Sequence, residues 1–443
     1  SLVVGIGFAW LVSRTDLTGR RVWRVVLGLP LALPSYVAAW AWIALRPASA
    51  GFDGAFVVLT AVSYPYVYLP VLSALRRSDP AIEEVARSLG RSPLRVFLTV
   101  TLRQVRVAAA GGALLVGLYA LSDFGAVSIM RYDSLTHVIY TSYRASFDRT
   151  PAAILGVLLA VLAVVVVLVD VRMRGDVRAA RVGGGARRPT PTVRLGAWRL
   201  PATMALVAAT AASIGVPLWS LASWLDRGRS TADWGELRDA TTSTLSLAAL
   251  AAVATVALAV PVGILAARHA GRLSRAVTAS AYAGHALPGI VVALSLVFFG
   301  VRFATSLYQT TAMLVFAYVV LFLSLAIGAV HGSAAQAPPV LEEVARSLGR
   351  TQVGTWWSIT IRLAAPGIGA ATTLVFLTVM KELPATLLLR PIGFDTLATE
   401  IWKLTSVGSY SRAALPALLL IALSAPFVYL LSSRHEPTEV EHG

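Results

Sequence analysis

Ten apolar runs punctuate this chain, at about 24–45, 55–76, 104–122, 152–171, 202–222, 241–267, 276–300, 310–332, 364–380 and 413–432, with a shorter one at roughly 1–13. A hydrocarbon core about 30 Å thick is crossed by roughly 20 apolar residues in helical form. Inside it no water satisfies backbone N–H and C=O groups, so runs of this length must close their own hydrogen bonds as helices. Composition points the same way: 57% of residues are hydrophobic, 14% are charged, and mean hydropathy is +0.72. A water-soluble domain of this size would expose far too much apolar surface with such a balance. The expected fold class is all-α, a polytopic transmembrane helical protein embedded in a lipid bilayer.

The charges sort by loop. Of the 38 Lys and Arg residues, 26 fall in the loops around 14–24, 76–106, 172–199, 268–275, 331–363 and at Arg434, and 12 fall in the alternate loops. The positive-inside rule makes the first set, and with it the C-terminus, cytoplasmic. A net charge of +16 would also suit a nucleic-acid partner. The arginines follow loop parity instead of gathering in one domain among aromatics, so no nucleic-acid partner is expected. There is no cysteine, which excludes disulfides, thiolate metal sites and a Cys nucleophile.

A nonapeptide repeats without change. Glu83-Glu84-Val85-Ala86-Arg87-Ser88-Leu89-Gly90-Arg91 returns as Glu342-Glu343-Val344-Ala345-Arg346-Ser347-Leu348-Gly349-Arg350, a separation of 259 positions that suits a duplicated domain and not a solenoid. Six apolar runs lie between the copies, an even number, so both copies face the cytoplasm and the repeat is parallel rather than inverted. Leu33-Pro34 pairs with Leu287-Pro288, Asp123 with Glu382, and Arg131 with Arg390 at nearly the same offset. Two pseudo-symmetric parallel-repeat halves of about six helices each are expected: a first transmembrane domain at 1–171, a basic cytoplasmic linker at 172–200, a second transmembrane domain at 201–433 and a polar tail at 434–443. Ser1 aligns with about Thr255, within a run, and no Met or charged leader opens the chain, so the first half is expected to be N-terminally incomplete.

Each copy of the repeat has the marks of a short helix. Asp79-Pro80 and Pro338-Pro339 stand at its opening, Glu83, Glu84, Glu342 and Glu343 suit its positive end, and Gly90 and Gly349 supply a stop. Glu83 and Arg87 are spaced i,i+4 for an ion pair. Ala86 and Ala345 are expected to leave a low surface on which another protein's groove could close.

Glu84-Val85-Ala86-Arg87-Ser88-Leu89-Gly90 and its second copy resemble the Glu-Ala-Ala-three residues-Gly loop of binding-protein-dependent ABC importer permeases. Two departures stand out: Val85 and Val344 replace the middle Ala, and Arg103 and Arg362 stand where that family often has Pro. The resemblance implies that Glu83, Glu84, Ala86, Gly90, Glu342, Glu343, Ala345 and Gly349 form two ATPase-coupling loops. It implies two copies of a cytoplasmic ABC ATPase that bind ATP and Mg, an extracytoplasmic solute-binding protein, and a multi-pass location in the bacterial plasma membrane. Ser122-Asp123-Phe124-Gly125-Ala126 and the stretch from Lys381-Glu382-Leu383-Pro384 to Gly393-Phe394-Asp395-Thr396-Leu397 are similar to the fused, two-domain permeases of the ferric-iron type. Thiamine, phosphonate and polyamine permeases share parts of these segments.

Catalytic signatures are missing from the sequence. The two lysines, Lys381 and Lys403, lie outside any Gly-Lys-Ser/Thr loop that could cradle phosphate, and the six histidines (His137, His269, His285, His331, His435, His442) show no His-Glu-x-x-His spacing. Neither enzyme activity nor a cofactor is expected in this chain, with ATP hydrolysis falling to a separate subunit. The competing class is an ion-coupled secondary transporter, which also uses parallel repeats; it would place carboxylates in mid-span, whereas here the acids fall almost wholly at span ends or in loops.

Four residues are expected along the substrate path. Pro34 and Pro288 fall inside apolar runs, where each would free a backbone carbonyl. Asp123 and Glu382 are pseudo-symmetric acids at the outer ends of the fifth spans, placed to line a mouth for a cation. Fe³⁺ favours hard oxygen ligands, and Tyr132, Tyr140 and Tyr143 are near in sequence. No resident metal site is expected.

Overall fold

The computed structural model of the protein describes residues 1–78, 80–145, 148–174, 192–228, 233–269, 271–272, 274, 276–277 and 287–433. Most of the basic linker with Gly183-Gly184-Gly185 and Arg187-Arg188, the tail 434–443, Asp79, His285, His435 and His442 lie outside the described residues. The described residues are helical, and their sole β pairing is one parallel bridge between Thr15 and Val193.

Eight of the described helices are long and apolar enough to cross a membrane: Phe52–Arg76, Pro93–Ser122, Thr150–Val169, Gly196–Arg227, Trp234–Arg268, Thr311–Ala334, Gln352–Lys381 and Tyr410–Leu430. The apolar run at 24–45 is not one straight span. It breaks into Arg20–Ala32 and Ser35–Leu45, bent by 90°. Pro34 is the cause: its φ of −63° and ψ of 141° place it outside the helix, and Leu33 before it is extended, as residues before proline prefer. Pro288 behaves alike, with φ −59° and ψ 141° ahead of Gly289–Phe303. The expectation that both prolines lie within spans and free a carbonyl is therefore corrected. Each proline carbonyl opens the following helix, accepting from Val37 and Ala38 (both 3.1 Å) or from Val291 and Val292 (2.9 and 3.2 Å).

The described residues contain three π-helical turns, one of them at Ala211–Gly215. Phe97–Thr101 and Trp356–Thr360 are π-helical insertions at the same point of the two repeats, 259 positions apart, near the start of the spans that follow the repeated nonapeptides. Such bulges add one residue to a turn, which a hydrophobic period cannot reveal.

The described residues form two compact units, one of those within 1–133, 165–223 and 428–433, the other of those within 134–164 and 224–427. In the first, Phe8, Val12, Tyr64, Tyr68, Val71, Leu75, Val105 and Leu206 share one core. Leu206 comes from the span that opens the second half, and the Trp42 indole donates to Ala212 O at 3.2 Å on the same span. In the second, Trp234–Arg268, Thr311–Ala334 and Ile361–Lys381 pack mutually. The stripe Ala248, Ala251, Ala252, Ala259 and Gly263 on the first of these helices is buried. Lipid offers no hydrophobic drive for helix pairing, so small residues that let backbones approach carry the association.

Close approaches identify positions that tolerate no enlargement. A Cβ on Gly112 would lie 2.7 Å from Val67 Cα, and one on Gly367 would lie 2.6 Å from Ala329 O, whereas Gly117 has open space. Gly112→Leu or Gly367→Leu should destabilise its unit by about 1–3 kcal/mol through overpacking. Thermal unfolding in detergent should show a lowered midpoint for both and an unchanged one for Gly117→Leu.

Candidate functional site

The two copies of the nonapeptide form the helices Pro80–Ser88 and Val340–Ser347. Both end in the same way. Gly90 and Gly349 have φ of 78° and 84°, the left-handed region that side chains with a Cβ resist. Arg91 N donates to Ala86 O at 3.2 Å and Arg350 N to Ala345 O at 3.1 Å, the six-to-one bond of a Schellman cap.

Their faces are the reverse of one expectation. Ala86 and Ala345 are 7% and 4% exposed, so they pack inward and offer no docking surface. The physical reason is size: a short helix lying on the ends of the spans needs its smallest residue where the backbones are nearest. The outward stripe is Ile82, Val85 and Leu89 in one copy and Leu341, Val344 and Leu348 in the other, with Leu89 74% and Leu348 78% exposed. Apolar groups at i, i+3 and i+7 ordinarily face a core. Here they face away from it, with Glu84 and Glu343 exposed beside them.

The first glutamate of each pair turns inward to an arginine. Arg14 Nη2 lies 3.3 Å from Glu83 Oε1, with both side chains only 2% exposed. The same guanidinium donates to Leu75 O at 3.1 Å and to Ser78 Oγ at 2.5 Å, while Thr101 Oγ1 donates to Glu83 at 3.1 Å. The expected Glu83–Arg87 pair is present at 3.6 Å. In the second copy Arg268 Nε and Nη2 each approach Glu342 Oε1 at 2.9 Å, and Nη1 donates to Ala337 O at 3.1 Å. Sequence reasoning missed both arginines as partners, because it read them only as positive-inside charges. The available signal was that 14 and 268 correspond in the repeat, one at the end of Leu2–Arg14 and the other at the end of Trp234–Arg268.

Asp123 and Glu382 occupy matching positions, directly after the spans Leu102–Ser122 and Ile361–Lys381. Each caps the short helix that follows. Asp123 Oδ1 accepts from Ala126 N at 2.9 Å and Val127 N at 3.3 Å, and its Oδ2 accepts from Ser35 Oγ at 2.5 Å. Glu382 accepts from Ala385 N, Thr386 N and Thr386 Oγ1, all at 3.1 Å, and Tyr318 Oη lies 2.6 Å from that threonine hydroxyl. The tyrosines near Asp123 in sequence are spread among other contacts. Tyr132 packs on Phe52 at 5.5 Å, Tyr140 Oη accepts from Arg144 at 3.2 Å, and Tyr143 lies under Arg149 at 4.7 Å. Among the described residues no three His, Asp or Glu side chains converge as a metal site.

The sequence profile of the inner membrane component of binding-protein-dependent transport systems matches residues 1–178 and 259–435. The chain belongs to this family. It is also 34% identical over 435 residues to the Fe(3+)-transport system permease protein FbpB 2 of Haemophilus influenzae, covering 97% of this chain and 86% of that protein. A sulfate transport system permease protein, CysW of Synechocystis, is 31% identical over 183 residues, which are 37% of this chain and 66% of the relative. The molybdenum transport system permease protein ModB of Escherichia coli K12 is 31% identical over 143 residues, 28% of this chain and 62% of the relative. The protein is thus a multi-pass inner-membrane permease of a binding-protein-dependent ABC importer, and the secondary-transporter alternative falls.

Breaking the buried pair at one end strands a charge. Arg14→Met should destabilise the first unit by about 3–5 kcal/mol, and the double change Arg14→Met with Glu83→Met should recover most of that loss. Thermal midpoints of the four proteins in the cycle measure it; a double change whose effect equals the sum of the two single effects would mean that the pair is not coupled.

Proposed function

We propose that this permease carries ferric iron from an extracytoplasmic binding protein to the cytoplasm by alternating access. The observation that supports iron is coverage: the similarity to an Fe(3+)-transport permease extends over nearly the whole of both chains, while the sulfate and molybdenum permeases match about a third of this one or less. In this reading residues 1–171 and 201–433 are the two transmembrane domains, joined by the cytoplasmic linker 172–200, and the tail 434–443 is cytoplasmic. ATP and Mg are bound and ATP is hydrolysed by two copies of a separate ABC ATPase. Thiamine, polyamine and phosphonate remain alternatives on the resemblance of segments alone, and no feature of the geometry favours them.

Each ATPase copy docks on one nonapeptide helix. Its contact is the exposed stripe Ile82, Val85, Leu89 or Leu341, Val344, Leu348, with Glu84 or Glu343 beside it, and not Ala86 and Ala345. An apolar stripe held away from its own core is the kind of anchor that a partner groove desolvates. Glu83 and Glu342 serve the site from behind by holding the helix, and Gly90 and Gly349 end it. Pro34 and Pro288 start helices in both repeats and fix where their spans begin. Asp123 and Glu382 are cap residues along the cargo path, holding the short helices Gly125–Ile129 and Pro384–Leu389.

Uptake of radiolabelled iron by cells expressing the permease with its ATPase and binding protein tests the cargo. Uptake of sulfate or molybdate in place of iron would overturn it. Val85→Asp with Val344→Asp should abolish co-purification of the ATPase and reduce uptake at least about tenfold, because a charge must be desolvated in each contact; retained binding would remove the docking assignment. Asp123→Asn with Glu382→Gln keeps shape and removes charge, and should lower uptake while the ATPase still co-purifies.

A further inference from the structure

The two docking helices are identical in sequence over nine residues, yet their ties to the membrane spans differ. In the first unit the tie is almost wholly buried: Arg14 and Glu83 are each 2% exposed, Arg14 also donates to Leu75 O and Ser78, and Thr101 donates to Glu83. In the second unit the tie is less deeply buried, with the Arg268 and Glu342 side chains 11% and 18% exposed.

A second observation lies directly behind the first tie. The end of the linker runs beside residues 14–16 as a single strand pairing. Val193 N donates to Arg14 O at 2.8 Å, Asp16 N donates to Val193 O at 3.1 Å, and Leu195 N donates to the Asp16 carboxylate at 2.9 Å. The backbone that carries the Arg14 guanidinium is thereby clipped to the segment joining the two halves.

We infer that Arg14 and Arg268 are positioning residues that transmit force between the docking helices and the spans behind them, and that the transmission is unequal. The first docking helix is the rigid one, locked by a buried pair and a linker strand, and the second is the one that yields. This rests on the docking role proposed above. A buried ion pair has few alternative geometries, because leaving it strands two charges in low dielectric. A pair that water reaches in part loses less on opening, because the parted groups are rehydrated. With equal amino-acid sequences and unequal ties, one ATPase movement meets two different stiffnesses.

Hydrogen–deuterium exchange on the full-length permease in lipid nanodiscs, without ATPase, reads this directly. Intrinsic exchange of the two nonapeptides is the same, so any difference reports structure. Peptides that include Ala81 or Val340 distinguish the copies by mass. The amides of 83–89 should exchange at least about tenfold more slowly than those of 342–348. Val193→Pro removes the hydrogen bond to the Arg14 carbonyl without changing the Arg14 side chain and should bring the first helix most of the way to the rate of the second. Equal protection in the wild-type protein, or a first helix indifferent to Val193→Pro, would overturn the inference.

The functional arm uses the assembled transporter in proteoliposomes and reads iron moved per ATP hydrolysed. Arg268→Met should lower this ratio by several-fold while the ATPase remains bound, and the exchanged pair Arg268→Glu with Glu342→Arg should restore much of it. An unchanged ratio in Arg268→Met would overturn the transmitting role. Failure of the ATPase to bind the wild-type permease would instead overturn the docking assignment, so the two failures are distinct.

Discussion

A guanidinium and a carboxylate, each almost wholly buried, are costly to take out of water, and a pair of well-packed apolar side chains would often serve stability equally well. The Arg14–Glu83 pair therefore calls for a reason other than stability. An apolar contact allows a short helix to slide or roll, whereas an ion pair with supporting hydrogen bonds accepts one register. The helix Pro80–Ser88 is nine residues long, too short to be stable alone. It depends on what it lies against, and Arg14, Thr101 and the Ala86 contact define that bed from two spans and one small residue.

The same logic accounts for the π-helical turns. A straight helix through Pro93–Ser122 would carry Thr101 in one angular position; one inserted residue rotates everything before it relative to everything after it. Thr101 closes the first bulge and is the residue that donates to Glu83. The second bulge closes on Thr360, at the identical place in the repeat. A bulge kept in both halves just after each nonapeptide helix helps to set the angle at which that helix meets the following span.

Much of this architecture was legible in the sequence because lipid is a severe solvent. It allows little besides closed helices, so the length of an apolar run nearly determines its conformation. The duplication was legible from one perfect nonapeptide, and helix ends at Gly90 and Gly349 from the conformational freedom of glycine. What escaped depends on contacts between segments far apart in the chain. Pro34 lies inside an apolar run that reads as one span, because hydropathy does not change across a 90° break. Ala86 was read as an exposed low point, and only packing reveals that the small residue is the inward one. Arg14 and Arg268 have a sufficient reason to exist as cytoplasmic charges, and that reason concealed their second role.

The acids at the ends of the fifth spans show why cargo is harder to read than coupling. Asp123 and Glu382 were singled out by symmetry, and symmetry was informative: both follow a span and both begin a short helix. Their oxygens accept from two backbone N–H groups each, which is what an N-terminal cap requires and what a free cation ligand would not be doing. A carboxylate so held presents its charge with fixed geometry and little freedom to wrap an ion. Selectivity in a binding-protein-dependent system need not reside in such groups, since the cargo reaches the membrane already chosen by the protein that delivers it. The permease has then to release and pass the cargo, a task for which weak and shared contacts suit better than a converging set of ligands. The two Arg–Glu ties, by contrast, hold the nonapeptide helices against the chain's own helices.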